Sequence, residues 1–377
     1  AAPAAYYFPR MPRITAVEVS KGPAAIKYGP QTVAGALGLY SAPIPEDPAG
    51  GVNGKLQLLG GEFGTFRGHA LVGGYVETGK AYDVGLSFET LQESSDGFKE
   101  LDSGGDTGFD IEDYVAKVAL RSNAGASVEQ SLEFKFQYSD ESSNETYTGL
   151  TLDDFRADPY RRYRGSQLDH LDVEHWTYQA THRIDFTEQL DLTTVAYYTR
   201  TQRAWYKLND VRNAANTGYT SLSAVLEDPA RYATEFAAIV GTPGTTSAAG
   251  ALRVRNNARE YYATGLQTVL GYAFEAGGAS HQPEASVRYH RDEEDRFQND
   301  DRYQMVDGFM LLTSAGAPGT QDNRVGEAEA WAFYLRDTIE WDRLALTPGV
   351  RYETIELTRT NYGSADPDRN GNPAIAR

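Results

Sequence analysis

In the stretch Tyr82-Asp83-Val84-Gly85-Leu86-Ser87-Phe88-Glu89, polar and apolar residues take turns. Side chains of an extended chain point alternately to opposite sides, so Tyr82, Val84, Leu86 and Phe88 share one face and Asp83, Ser87 and Glu89 the other. Leu132-Glu133-Phe134-Lys135-Phe136-Gln137-Tyr138 repeats the pattern. So do the alternate positions from Tyr262 to Phe274, and Leu344, Leu346, Val350 and Tyr352. The face carrying Trp331, Phe333, Leu335, Ile339 and Trp341 is aromatic at both ends, as a girdle at two membrane interfaces would be. Alternation by itself marks any half-buried sheet. The links between the segments say more. About eleven strands are expected, near 52–62, 65–77, 81–93, 110–122, 127–140, 171–185, 189–207, 258–275, 281–295, 327–341 and 343–358. Tight turns fall at Thr78-Gly79-Lys80, Asn123-Ala124-Gly125-Ala126, Phe186-Thr187-Glu188, Ala276-Gly277-Gly278-Ala279-Ser280 and Asp342. They alternate with long links at 94–109, 141–170, 208–257 and 296–326, and only the first hairpin, through Gly64, is short on the long-link side. An up-and-down barrel that crosses a membrane has short turns on one rim and long loops on the other. Strands of a soluble sandwich are shorter, and its loops do not keep this parity.

Composition agrees and excludes some classes. The chain has 377 residues and no cysteine, which removes disulfides and thiolate chemistry. Its net charge of −18 argues against a general nucleic-acid partner, which would repel a polyanion. No apolar run reaches the length of a membrane helix. A mean hydropathy of −0.52 looks soluble, yet a barrel with a polar lumen also averages out polar. The first residues, Ala1-Ala2-Pro3-Ala4-Ala5, lack a leader pattern, and the last lie in a Gly/Asp/Asn-rich stretch; the chain reads as a fragment cut at both ends.

Residues before Val52 break the barrel rhythm. Ile14 to Val19 is a short strand, Gly22 and Gly29 permit bends, Pro23 opens a helical turn, and Gln31 to Tyr40 returns as a strand. Pro43, Pro45 and Pro48 then interrupt regular structure. Val17-Glu18-Val19-Ser20-Lys21-Gly22-Pro23, followed by Ile26-Lys27-Tyr28-Gly29 and Gly35-Ala36-Leu37, resembles the last plug segment of TonB-dependent outer-membrane receptors. Tyr6-Tyr7-Phe8-Pro9-Arg10-Met11, Tyr28-Gly29-Pro30-Gln31 and Ser41-Ala42-Pro43-Ile44-Pro45 are most similar to the ferric-citrate and siderophore branch. Thr146 to Thr151, Asp158 to Tyr163 and Trp205 to Asp210 resemble that branch as well.

The resemblance implies an all-β architecture: a partial transmembrane antiparallel barrel, about eleven of about 22 strands, preceded by the C-terminal piece of a plug. Residues 1–48 would close the plug and 49–377 would form the N-terminal half of the barrel. It further implies uptake of a ferric chelate across the outer membrane of a Gram-negative bacterium, energised by the inner-membrane TonB complex. Outer-membrane lipid and lipopolysaccharide would surround the wall. The chelate is cargo, and no cofactor, metal site or nucleic-acid partner is expected. Glu18, Lys21, Gly22, Pro23, Tyr28, Gly29 and Gln31 are expected to fold the plug. The family often has Arg where Lys21 stands, there locking plug to barrel; a lysine is a point charge without the two-pronged fork.

An anionic chelate calls for guanidinium or ammonium groups at the mouth. The candidates are Arg156, Arg161, Arg162 and Arg164 on the link after the fifth strand, Arg203 and Lys207 at the end of the seventh, and Arg212, Arg253 and Arg255 on the link that follows it. Arg10 and Arg13 in the plug lead-in join them. The same links hold Asp153, Asp154, Asp158 and Asp210, so internal ion pairs compete for these cations. His170, His175 and His182 lack the spacing of a metal cluster. The run Arg291 to Arg296 is expected to cap a strand at a solvated rim. No nucleophile triad, carboxylate pair or phosphate loop is present, so the chain is not read as an enzyme. The alternatives are a receptor for a non-iron ligand (cobalamin, haem or a saccharide), a passive porin-like barrel, and a soluble β-rich binding protein.

Overall fold

The computed structural model describes residues 7–29, 32, 35–47, 50–79, 81–123 and 125–377. Gln31 of the plug motif lies outside the described residues, as do Tyr6, Pro30, Pro48 and the turn residues Lys80 and Ala124. A two-stranded sheet comes first, β1 (Ile14–Ser20) against β2 (Ala36–Ser41), antiparallel. Eleven long strands then build one sheet in chain order. They are β3 (Asn53–Gly60), β4 (Phe66–Val76), β5 (Tyr82–Ser95), β6 (Phe109–Ser122), β7 (Glu129–Ser143), β8 (His170–Asp185), β9 (Leu190–Arg212), β10 (Leu252–Tyr272), β11 (Ala279–Val306), β12 (Asp322–Trp341) and β13 (Gly349–Asn361). Each pairs antiparallel with the next, and Ala374–Ala376 adds a short last strand on β13. Among the described residues the path does not return to β3. The architecture is a partial up-and-down barrel wall.

The turns follow the expected parity. On one rim Gly277 and Gly278 have φ of 61° and 76°, the left-handed pair that a tight two-residue hairpin requires. On the other rim lie the links 96–108, 144–169, 213–251 and 307–321.

The two faces of the wall differ in chemistry. Val72, Phe88, Val118, Phe134, Leu266, Phe333 and Leu335 lie on one face and are exposed, Leu335 to 55%. That much bare apolar surface on every strand has no stable place in water and fits lipid. Toward the long-link rim the same face ends in a row of rings: Tyr114, Tyr138 and Trp176 on neighbouring strands, then Tyr198 beside Tyr262 and Tyr289 beside Trp331. The opposite face carries Glu89, Asp113, Lys117, Gln137, His175 and Thr201, all buried. It faces the plug piece and forms the lumen.

Several strands outrun their expected ends. β9 continues to Arg212, β10 begins at Leu252, and β11 runs on to Val306 and hairpins with Phe309–Ser314. Arg291 to Arg296 therefore sit inside a strand instead of capping it, Asp292 and Glu294 on the lumenal side and Glu293 and Asp295 on the outer. Above the lipid band both faces meet water or loops, so pairing continues where apolar alternation has ended. The last expected strand divides instead, into Leu344–Leu346 and β13. The link after β9 is not bare loop. It holds α1 (Leu222–Glu227), N-capped by Ser221, and α2 (Ala233–Val240), closed by Gly241 in the left-handed conformation. Tyr163, Leu208, Val225, Ile239, Leu252, Val254 and Met305 pack with them into a buried hydrophobic core. The rim thus carries a small globular cap.

Candidate functional site

The lumen site starts with the plug lead-in. The Arg13 guanidinium donates through Nε to Asp113 Oδ2 of β6 at 2.6 Å, and the two side chains are 1% and 0% exposed. Arg10 pairs with Glu141 of β7. The Tyr7 ring stacks on His175 of β8 with centroids 3.6 Å apart, and its phenol meets Arg13 and Gln137. Burial pushes that phenol up to about 12. Arg10 and Arg13, nominated as ligand cations, thus hold the lead-in to β7 and β6, and Tyr7 holds it to β8. A buried cation without its carboxylate would be costly, which accounts for the one-to-one pairing.

The plug motif has a local purpose. The Glu18 carboxylate accepts the Tyr40 phenol at 2.7 Å, the Tyr28 phenol at 2.8 Å and the Ser20 hydroxyl at 3.1 Å, with Lys27 Nζ at 3.7 Å. Those hydrogen bonds, Tyr40 first, hold it down at about 2. Gly22 and Gly29 take φ of 64° and 148° at the two ends of the helical turn Gly22–Tyr28, with Pro23 in its first turn. The motif is a folding unit that turns Tyr28 back onto Glu18. Lys21 is exposed, and no carboxylate among the described residues lies within ion-pair distance of it. The contact to the wall here runs through the backbone: Arg351 Nη1 of β13 donates to the Lys27 carbonyl at 3.0 Å.

At the mouth the nominated cations separate. Arg161 is spent on carboxylates, forked onto Asp102 (Nη2 to Oδ2 2.9 Å) and also bound to Asp154 at 2.9 Å. Arg162 donates to Thr146 Oγ1, Pro159 O and Arg161 O. Among the described residues neither Arg162 nor Arg164 has a carboxylate within ion-pair distance. Arg203 and Lys207 point to the lumenal face of β9, 3% and 8% exposed. Arg203 Nη1 donates to Asn257 O at 3.3 Å. Lys207 Nζ lies 3.1 Å from the centroid of the Tyr147 ring and 4.6 Å from that of Trp205. Burial pushes the Lys207 ammonium down to about 8, against the opposing pull of Asp169. Arg253 and Arg255, candidates from the link after the seventh strand, lie on β10. They form a network with Asp210 and Asp300, Arg255 bidentate at 2.8 and 3.0 Å, and Arg253 lies 4.0 Å from the Tyr219 ring. Their alternation with lumenal partners on β11 was visible only once β10 was known to begin at Leu252.

A wall with a greasy outside, a charged lumen, long links on one rim and a plug end inside is one architecture. The family model described as TonB dependent receptor-like, beta-barrel matches residues 119–375. The chain belongs to this family. TonB-dependent receptors are outer-membrane proteins of Gram-negative bacteria, transporters and receptors rather than enzymes. Among solved structures the receptor wall is similar to the unliganded ferric citrate transporter FecA, with a TM-score of 0.60 and 19% identity over 93% of this chain. It is similar to the siderophore receptor PiuA of Acinetobacter baumannii at TM-score 0.64 and 13% identity over 97% of the chain. The open form of the ferric-catecholate import receptor Fiu of Escherichia coli K12 gives 0.65 and 15% over 96%. The chain spans 44%, 50% and 54% of those three structures' own lengths.

Proposed function

We infer that the chain is part of a receptor for TonB-energised uptake of a ferric chelate, ferric citrate-like or a siderophore complex. Residues 1–48 are then the closing part of the plug and 49–377 the first half of the barrel. One observation carries this reading: a plug segment is charge-paired to the lumenal wall beneath a mouth where Arg203 and Lys207 stand on the inner face with Tyr147 and Trp205. Anionic chelates need such cations, and partial burial strengthens the attraction. The structural neighbours' own cargo, ferric citrate and siderophore complexes, supports the same class. The partners under this reading are the TonB complex below, outer-membrane lipid and lipopolysaccharide around the wall, and the chelate above.

The test is binding and growth rescue by the full-length receptor with a panel of ferric citrate, catecholate and hydroxamate complexes. At least one is expected to bind, and uptake but not binding is expected to stop when the proton gradient is collapsed. Binding of cobalamin, haem or a saccharide with no ferric chelate would sink the cargo assignment. Uptake that survives loss of the gradient would favour the passive barrel.

A further inference from the structure

At the mouth a side chain of the link 144–169 lies over a cation of β9. Lys207 is 8% exposed. Its Nζ stands 3.1 Å from the centre of the Tyr147 ring and 4.6 Å from that of Trp205, and the two rings meet edge to face with centroids 5.3 Å apart. Among the described residues no carboxylate comes within ion-pair distance of this ammonium. Arg203, Arg255 and Arg259 crowd it with like charge. The cation is thus held by ring faces in a place where an anion would be welcome. The two rings are fixed differently. Trp205 belongs to β9 itself and is laddered to Leu171 and Asn257. Tyr147 belongs to the link, is 48% exposed, and its phenol has no hydrogen-bond partner among the described residues.

What places the Tyr147 ring is a carboxylate. Asp169 is 5% exposed and follows the helical turn Arg164–Ser166, its own N–H donating to Ser166 O at 3.0 Å. Its Oδ2 accepts Tyr147 N–H at 2.9 Å and its Oδ1 accepts Leu208 N–H at 2.8 Å. Leu208 is the residue after Lys207 in β9. One carboxylate therefore ties the residue that carries the covering ring to the residue beside the covered ammonium. The next link residue, Thr148, is 2% exposed and its hydroxyl has no hydrogen-bond partner. A buried hydroxyl left unmatched costs free energy, so the covering position of the link is not free of strain. We propose that Tyr147 is a shutter on Lys207 and that Asp169 is the positioning residue that keeps it closed, so that an anionic group of the ligand reaches the ammonium only when the ring swings aside. A ring face holds a cation through its quadrupole alone. An oxyanion pairs with the same ammonium more strongly, through a charge-assisted hydrogen bond, and displaces the ring, whereas a neutral solute does not. The shutter thus selects for charge on the ligand. What the anion is rests on the chelate reading; that the ring covers the ammonium and leaves it does not.

The experiment is competitive acetylation of the detergent-solubilised full-length receptor with acetic anhydride over the alkaline range, read peptide by peptide. It separates the titration of Lys207 from the rate of its neutral amine, and needs no ligand. Tyr147→Ala is expected to raise that rate about tenfold, the worth of a desolvated cation–π contact. Asp169→Asn, whose amide cannot accept both backbone N–H groups, is expected to raise it in the same direction by a smaller factor. Tyr147→Phe keeps the ring and is expected to restore the slow rate. In a second arm, with ferric citrate as probe, the observed association rate should level off at high concentration in the wild type, where opening precedes binding, and rise without a plateau in Tyr147→Ala. A Lys207 rate that Tyr147→Ala leaves unchanged overturns the proposal, and so does an equal rise in Tyr147→Phe. Should Asp169→Asn fail to fold, seen as loss of the β signal, the half-exposed Tyr147 pair of variants still decides. Failure of ferric citrate to bind wild type and variants alike counts against the cargo assignment, while the acetylation rates decide the shutter.

Discussion

The plug lead-in and the mouth both bring arginines to carboxylates, but they do it differently. At the lead-in, Arg13 and Asp113 meet as an isolated pair from which water is shut out. At the mouth, Arg253 and Arg255 share Asp210 and Asp300 in a network that is 11–25% exposed, and Lys207 leans on aromatic rings. A sealed pair has one good geometry and loses much when one member goes. An open network can exchange partners at small cost. The contrast teaches that the driest charges of the lead-in are held in a single pair and the wetter ones of the mouth in a shared network.

The strongest way to break that contrast is Arg13→Ala. It strands the Asp113 carboxylate in a dry site and is expected to cost about 3–5 kcal/mol, read as earlier melting and faster proteolysis of residues 7–29. Adding Asp113→Ala should restore most of the loss; if the double variant melts no later than the single one, the pair is not the anchor. Next comes the cap. Ile239→Ala, at a fully buried position, should cost about 2–5 kcal/mol locally, visible as faster amide exchange across α1 and α2 with an unchanged wall transition. A wall that melts together with the cap would show the two to be one cooperative unit.

The mouth variants sharpen the other side. Under the chelate reading, Arg203→Ala or Lys207→Ala should weaken anionic-chelate binding by about 1–3 kcal/mol, the worth of a charge-assisted hydrogen bond. Arg161→Ala, whose charge is already matched by Asp102 and Asp154, should weaken it far less. Equal losses in all three would erase the distinction between the carboxylate-paired cation and the two on the lumenal face of β9. Lys207 also sets a pH test. Its ammonium titrates near 8 when folded against 10.5 ordinarily, so it is charged below about 8 and neutral above. Chelate affinity should fall as pH rises through 8. Stability runs the other way: between 8 and 10.5 the unfolded chain holds the extra proton, so folding is favoured as pH rises across that window. The smallest effect belongs to Glu18, held near 2 by its hydroxyl donors. Its depressed value stabilises the plug turn above the ordinary 4.5 and is lost as pH falls toward 2, which the Tyr28 and Tyr40 ring resonances should report.

Much of the wall is legible in the sequence. Phe134, Leu266 and Leu335 repeat on one face because lipid demands it on every strand that crosses, and the turn rim writes itself in Gly277-Gly278. The upper halves of β10 and β11 are not. There Arg253 and Arg255 alternate with only Leu252 and Val254, Asp300 and Asp301 alternate with nothing hydrophobic, and the ladder with neighbouring strands keeps them extended. The cap was hidden for a similar reason: Tyr163, Leu208, Ile239 and Met305 come from four separate stretches and make a core only after folding. At the site, residue type pointed to the right kinds of side chain but not to their partners. Asp113 and Glu141 lie 100 and 131 positions from the arginines they bind, a separation that no local pattern encodes.

The plug piece touches the sheet at widely spaced places: Asp113, Glu141 and His175 on β6, β7 and β8, and Arg351 far along on β13. Geometrically it is a chord stretched beneath an arc. A load on such a tie-rod falls on both of its footings together, so displacing it would slacken the curvature of the arch.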